Sequence, residues 1–253
     1  MKVKLSAVII TFNEEANLHR CLSSITDVVD EIIIVDSYST DATEKIAKEY
    51  KVNFFKNKFD GHIQQKNFAI TKAKHKHVLS LDADECLSEA LKESIIETKN
   101  NWVYDGYSFN RLTNYCGQWI RYCGWYPDKK LRLWDSTKGT WQGQNPHDQF
   151  KLYKIATHGF IKGDLLHYSI ASIEEHLLVI DKFSTIAAQE MYNKGIKFPK
   201  IRSWVHPIFK FIKQYILRFG FLDGKNGFRV CNNSAFSTHM KYKKLVKLYE
   251  QNT

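Results

Sequence analysis

The chain of 253 residues is short of long hydrophobic runs: no stretch approaches the roughly 20 apolar residues of a membrane-spanning helix. The N-terminal MKVKLSAVIITFNEE is not expected to be a leader, because its apolar run meets Asn-Glu-Glu after Phe12 without a small-residue cleavage site. Cysteine is sparse and odd in number, at Cys21, Cys86, Cys116, Cys123 and Cys231, with no CxxC spacing. That argues against a disulfide framework and for reduced thiols, as in a cytosolic protein. No GxGxxG follows the first apolar run and no GxxxxGK[ST] occurs, which removes the dinucleotide fingerprint and the P-loop. Internal repeats, low-complexity tracts and RNP, KH or zinc-finger patterns are absent as well.

What is present is enough apolar residue, 43 %, for a sizeable core. There are 37 basic against 27 acidic side chains, a formal charge of +10. Such an excess suits an anionic partner: a nucleotide, a phosphorylated lipid, a membrane surface or a nucleic acid.

Residues 3–85 alternate between buried-strand and amphipathic-helix patterns. VKLSAVIITF, EIIIVD, VNFFK and HVLSL read as strands, and EANLHRCLSSI, STDATEKIAKEY (with Thr40 or Asp41 as N-cap) and IQQKNFAITKAK read as helices. This order predicts an open α/β fold, a Rossmann-like, mostly parallel sheet flanked by helices. After residue 100 the aromatic stretch DGYSFNRLTNYCGQWIRYCGWYPDKKLRLWD predicts hairpin-like strands, with alternation at Tyr107, Phe109 and Arg111 and at Leu131 and Leu133. GQNPHDQF reads as a loop by its Gly, Asn and Pro content. A helix is expected over about 172–193, followed by the basic, aromatic segment SWVHPIFKFIKQYILRFGFL.

In such sheets ligands bind at the carboxyl ends of the strands. Polar clusters stand at three of those ends: Thr11-Phe12-Asn13-Glu14-Glu15, Asp36-Ser37-Tyr38-Ser39-Thr40-Asp41 and Asp82-Ala83-Asp84-Glu85. The predicted fold would gather them into one cleft. An Asp-x-Asp at a strand end can offer one carboxylate to a divalent cation and another to a sugar or ribose hydroxyl. The cation can then neutralise charge on a departing diphosphate. With no glycine cradle for phosphate, Mg²⁺ or Mn²⁺ fills that role.

The segments VIITFNEEANLHRCLSSI, DEIIIVDSYSTDAT, QQKNFAI and VLSLDADE resemble the nucleotide-binding half of family 2 glycosyltransferases of GT-A fold. YCGWYPDKKLRLW, PHDQF, LLHYS and GFLDGKNGF extend the resemblance to bacterial lipopolysaccharide core transferases that add a β-1,4-linked glucose to the first heptose. The resemblance implies an inverting, metal-dependent hexosyltransferase using a nucleotide sugar, UDP-glucose by expectation. A GT-A domain would cover 1–171, and 172–253 would form a helical, basic extension touching acceptor or membrane.

Residue by residue, it puts Thr11, Asn13, Glu14, Glu15 and Asp36 near base and ribose, and Lys66 at the nucleotide. Asp82 would face ribose or sugar, and Asp84 the metal, with His167 and His147 as further ligands. Arg132 would meet the diphosphate, since guanidinium forks match phosphate oxygens. Inversion requires one general base opposite the leaving group. Asp148 is the first candidate, in His147-Asp148 where the family often has His-Glu, and Asp128 the second.

Each has a plainer alternative. Asp148 would cap a turn, Arg132 and Lys66 would be solvated, the histidines would be packed, and Glu14 and Glu15 would complement a helix N-terminus. Trp204, Ile208, Phe211, Ile212, Tyr215 and Phe219 share much of one helical face, flanked by Lys210, Lys213 and Arg218. That face suits either an anionic bilayer surface or a core.

The implied partners are a nucleotide sugar, a lipid-linked glycan acceptor and an anionic membrane surface. No nucleic acid is expected, because the cleft edge is acidic. The implied place is the cytoplasm or the cytoplasmic face of the inner membrane. The competing readings are a polyprenyl-phosphate or other cell-envelope transferase, a nucleic-acid-binding protein, and a non-catalytic sugar-binding relative; Asp82, Asp84 and Asp148 favour an enzyme over the last.

Overall fold

A computed structural model describes residues 2–144, 147–197 and 199–251, without the side chains of Gln144 and His147. The chain divides into two compact units, one of residues 1–111 and 128–168, the other of 112–127 and 169–253.

The first unit is built on four parallel strands, β1 (Leu5–Thr11), β2 (Glu31–Asp36), β3 (Asn53–Lys56) and β4 (His77–Asp82), in the order β3-β2-β1-β4. Between them run α1 (Leu18–Ile25), α2 (Thr43–Lys48) and α3 (His62–Thr71). The β-branched runs pack on both faces because alternate residues point opposite ways. Leu5, Ala7, Ile9, Leu79 and Leu81 meet Leu18, Leu22 and Ile25 of α1 on one face. Val8, Ile33, Val35 and Val78 form the other with Ala69 of α3. The register sets Thr11 opposite Asp36, and Ile10 opposite Asp82, so the polar strand ends finish level with one another. Asp41 accepts from the Thr43 backbone N–H at 3.0 Å, one residue before the Ala42 cap of α2.

Beyond β4 the sheet becomes antiparallel. A short β5 (Glu85–Leu87) follows the carboxylate cluster, then α4 (Glu89–Asn100), capped by Ser88, whose hydroxyl accepts from Leu91 N–H. Next come β6 (Gly106–Tyr115), β7 (Gln118–Ile120), β8 (Asp128–Asp135), the hairpin β9 (Gly139–Gln144) and β10 (His147–Leu152), and β11 (His158–Ile170). The strand path is β3-β2-β1-β4-β8-β6-β11-β5, with β7 on β6. The expected hairpin-like additions are thus present, with Tyr107 opposite Leu133.

One expectation is corrected. GQNPHDQF was read as a loop, but residues 147–152 are a strand paired antiparallel with β9. The cause is aromatic packing: Phe150 stacks on Trp134 with centroids 3.8 Å apart, and Trp141 meets both rings edge-on.

In the second unit β7 pairs with the end of β6, placing Thr113 opposite Ile120. Among the described residues the α-helices α5 (Ile173–Asn193), α6 (Pro199–Ile212) and α7 (Gly224–Gln251) follow. Ser172 and Glu175 form a capping box, the Ser hydroxyl accepting from Glu175 N–H and the Glu carboxylate from Ala171 N–H. Both α5 and α6 pack along α7. Residues 112–127 fall in this unit, where Tyr115, Ile120 and Cys123 pack with Val230 and Cys231. Phe219 does not extend the expected helical face: it follows a π-turn (Lys213–Leu217) in the left-handed region, at φ 53°. All five cysteines are free.

Candidate active site

The three level strand ends carry most of the expected side chains, and they divide into two groups. The first group ties the β1 and β2 loops together. Asp36, fully buried, accepts from Thr11 Oγ1 at 2.9 Å, from Ser39 Oγ at 2.5 Å and from Ser39 N–H at 2.8 Å. Asn13 adopts φ 55°; its N–H donates to Ser39 Oγ, and its Oδ1 accepts from Thr40 N–H. Glu14 N–H donates to Thr43 Oγ1 and Glu15 N–H to Asp41, while the Glu15 carboxylate accepts from Ala42 N–H at 2.9 Å. These bonds give the loops a fixed shape, the preorganisation a ligand-binding rim needs. Burial raises the Glu14 carboxyl; the Asn17 hydrogen bond opposes it, and neighbouring Asp84, Asp82 and Asp41 add to the rise.

The second group lines a cavity of about 530 Å³ bounded by Lys66, Asp82, Arg111, Arg132, Trp141 and Asp148. Its floor is a chain of alternating charges. Lys66 Nζ lies 2.9 Å from both Asp148 Oδ2 and Asp82 Oδ1, and 4.4 Å from the centre of the Trp141 ring. Arg132 Nη2 lies 2.6 Å from Asp82 Oδ2 and 2.7 Å from Glu85 Oε1. Arg111 reaches Glu85 at 3.4 Å and Asp128 at 2.8 Å, and Lys130 reaches Asp128 at 3.1 Å. Burial would raise the Asp82 carboxyl, but Arg132 and Lys66 outweigh it and hold it well below the usual carboxylate range. Asp82 keeps 30 % side-chain exposure at the mouth of the cavity, whereas Glu85 beneath it has none.

Arg132 reaches this position through a bulge. Tyr107 pairs with Leu133 and Ser108 with Leu131, so Arg132 stands unopposed between them. A bulge bends the strand and re-aims the side chain it carries. Arg132 is therefore 95 % buried instead of solvated on an open strand, and its Nε is without a hydrogen-bond partner.

Asp84 and His167 stand together, with Asp84 Oδ2 3.1 Å from His167 Nε2. β11 supplies His167 opposite Glu85 of β5. A carboxylate and an imidazole form a donor pair that Mn²⁺ accepts readily, and cations of this class complete their shell with water and substrate phosphates. Among the described residues no group of three or more His, Cys, Asp or Glu side chains is placed to hold a metal. A cation held by this pair would take its remaining ligands from substrate and solvent. The His147 side chain lies outside the described residues.

The structure thus brings Lys66, Asp82, Arg132 and Asp148 into one cavity and pairs Asp84 with His167. It sets Thr11, Asn13, Glu15 and Asp36 to loop-to-loop bonding, and couples Asp128 to Arg111 and Lys130. Sequence reasoning took Glu85 only as part of the acidic cluster and assigned no role to Arg111 or Trp141. For Glu85 the signal was its place directly after Asp-x-Asp; for the other two there was none.

A mixed sheet flanked by helices, with acidic and basic side chains at the carboxyl ends of its parallel strands, defines an α/β fold of GT-A type whose ligand edge lies at those ends. The family model described as glycosyl transferase family 2 matches residues 6–153, and the chain belongs to that family. It is a glycosyltransferase. It is 31 % identical to an uncharacterized glycosyltransferase of Rickettsia typhi, covering 97 % of this chain and 87 % of the relative. It is 30 % identical to the lipopolysaccharide core biosynthesis glycosyltransferase LpsC of Rhizobium meliloti, covering 93 % and 86 %. Among solved structures, S. aureus TarS 1–349 in complex with UDP aligns over 99 % of this chain and 92 % of that one, with a TM-score of 0.45 and 16 % identity.

Proposed function

We propose that this enzyme transfers a hexose, glucose by its resemblance, from a UDP-sugar to the inner-core heptose of a lipopolysaccharide or lipooligosaccharide, inverting the anomeric centre. The observation that carries the reading is the double contact of Lys66. It binds Asp82, at the end of a parallel strand, and Asp148, on the β9–β10 hairpin, at the same 2.9 Å. A donor-side carboxylate and a base candidate therefore face one cavity. The LpsC relationship supports the acceptor class. A lipid-linked acceptor sets the reaction at the cytoplasmic face of the inner membrane. Among the described residues no helix is long and apolar enough to cross a membrane.

In this mechanism Asp148 takes the proton of the acceptor hydroxyl as its oxygen attacks the anomeric carbon. Lys66 holds the Asp148 carboxylate in place, and the Trp141 ring shields that ion pair from water. Asp82 faces the sugar or ribose, with both oxygens fixed by Lys66 and Arg132. Arg132, fixed by Asp82 and Glu85, contributes positive charge beneath the cavity in which a diphosphate would sit. Asp84 and His167 would hold Mn²⁺ or Mg²⁺, which supplies charge neutralisation to the departing diphosphate. Asp128, neutralised by two cations, is the weaker candidate for base.

Titration calorimetry of UDP with and without Mn²⁺ is the first test. Binding by the wild type that requires the metal and is lost in Asp84→Asn supports the donor site; metal-independent binding, or none, refutes it. Turnover then separates the bases. Asp148→Asn should lower kcat by about 10²–10⁴-fold with UDP binding intact, and Asp128→Asn should stay within a few-fold of wild type. The reverse ranking would move the base to Asp128.

A further inference from the structure

A broad apolar surface on the second unit has no part in the site above. Along α6, Ile201, Trp204, Val205, Ile208 and Ile212 recur at three- to four-residue spacing and are all exposed, Trp204 by 71 %. Phe209 beside them is 68 % exposed. The series continues past the helix through Ile216, Leu217, Phe219, Phe221 and Leu222, with Leu217 at 66 %. Folded chains rarely leave so continuous an apolar surface without a partner.

This exposure does not come from a loose segment, because the backbone beneath is anchored on its inner side. Asp223, itself buried, accepts from Arg121 N–H at 3.1 Å and Tyr122 N–H at 2.8 Å. The side-chain amide of Gln214 donates to the Cys123 carbonyl at 3.1 Å. Gly220 and Gly227 approach so closely that a Cβ on Gly227 would stand 2.0 Å from the Gly220 carbonyl oxygen. Phe211 and Tyr215 turn inward to the cluster of Tyr115, Ile120 and Val230. The same turns that bury these groups hold their neighbours outward.

Charge identifies the occupant. Residues 199–222 contain no Asp or Glu, and the first acid after them, Asp223, is consumed by the two backbone N–H groups. Lys210, Lys213, Arg218 and Lys225 are exposed in and just after the apolar series. From 199 to 251 there are eleven Lys and Arg against two acids, which nearly accounts for the +10 of the whole chain. A second copy of this chain seated on the same surface would bring like charges together. Aromatic and aliphatic side chains ringed by cations, with tryptophan among them, suit the boundary between lipid headgroups and acyl chains.

We propose that the surface from Ile201 to Leu222 docks on an anionic lipid bilayer. The α6 stripe and the Leu217–Leu222 turn sit at the acyl boundary, and Lys210, Lys213, Arg218 and Lys225 lie at headgroup level. This deepens the reading above by naming the surface that meets the membrane, and it does not depend on the donor.

The test is co-sedimentation of the full chain with phosphatidylcholine vesicles, with and without phosphatidylglycerol, at low and high salt and without nucleotide. Binding should require phosphatidylglycerol and should be released by salt. Each cation removed should lower partitioning roughly fivefold. The quadruple variant K210S/K213S/R218S/K225S should therefore bind on the order of several hundred-fold more weakly. L217S/L222S should also bind weakly, and its thermal unfolding should match wild type because both side chains are exposed.

Equal binding to neutral vesicles, no binding to anionic ones, or wild-type binding by both variants overturns the proposal. So does a wild-type dimer in sedimentation velocity that L217S/L222S dissolves. UDP calorimetry on the same samples separates the two readings. Protein that binds UDP but ignores vesicles fails only this one, and protein that binds vesicles but not UDP fails only the donor assignment.

Discussion

Replacing Arg132 tests whether the charge chain is the keystone of the cavity. In Arg132→Met the bonds to Asp82 and Glu85, at 2.6 and 2.7 Å, are both lost. Glu85, with no exposure, keeps only Arg111 at 3.4 Å and the Asp82 backbone N–H at 3.1 Å. Asp82 keeps Lys66. Removing one partner from a buried ion pair costs about 3–5 kcal/mol, mostly from the charge left behind. Glu85→Gln keeps the side chain's shape and should cost about 1–3 kcal/mol, the worth of charge-assisted hydrogen bonds. Because the two residues share one interaction, Glu85→Gln/Arg132→Met should be about 1–3 kcal/mol more stable than the sum of the single losses predicts.

Urea unfolding, followed by circular dichroism and tryptophan fluorescence, measures all three. The pH dependence gives a second reading. In the wild type the Asp82 carboxyl is depressed, so its stabilisation is present above the unfolded value of about 3.9 and is lost as pH falls through the folded value. Without Arg132 much of that depression disappears. The stability gap between wild type and Arg132→Met should be widest near neutral pH and should narrow on acidification. A loss below about 1 kcal/mol, strict additivity in the double variant, or a gap that widens in acid would refute the argument.

Other consequences are simpler to check. His176 is held neutral by burial, in contact with Tyr115 Oη at 3.1 Å and Asn233 Nδ2 at 3.0 Å. Its depressed value means stability present above about pH 6.5 and lost below it. His176→Gln should therefore flatten the stability profile of the second unit between about pH 7 and 5, measured by thermal melts. Gly163→Ala should destabilise by about 2–4 kcal/mol in urea titrations, since φ is 102° and a Cβ would stand 2.5 Å from Leu91 N. Leu91→Ala, which empties a wholly buried site under α4, should cost about 2–5 kcal/mol by the same measurement.

The parallel half of the sheet was legible because each strand is a short apolar run, and three of the four end in a polar cluster: IITFNEE, IVDSYST, LSLDADE. Those endings also stand together at one edge of the sheet. The details above that edge were not legible. Thr11, Asn13 and Asp36 bond to the neighbouring loop, a pairing set by register and not by residue type. Arg132 owes its burial to a single extra residue between two pairs, which leaves no mark in composition. The β9–β10 hairpin was masked because only Trp141, Phe150 and Leu152 carry its apolar alternation, while glycine, glutamine and asparagine dominate the local signal. β5 is three residues long, too short for a period to declare itself.

The excursion at 112–127 has a bearing on biosynthesis. Its apolar side chains Tyr115, Ile120 and Cys123 pack with Ile170, Phe211 and Tyr215 and, last in the chain, with Val230 and Cys231. At roughly 5–20 residues per second a ribosome takes about 5–20 s to travel from one to the other. Through that interval the sheet of the first unit can close, while a hydrophobic loop drawn out of its middle waits for helices not yet made. A nascent chain halted before α7 would present that loop to any chaperone or protease nearby. The two units are therefore tied in time: the sheet can form early, but the cover over the excursion is completed when the last helix arrives.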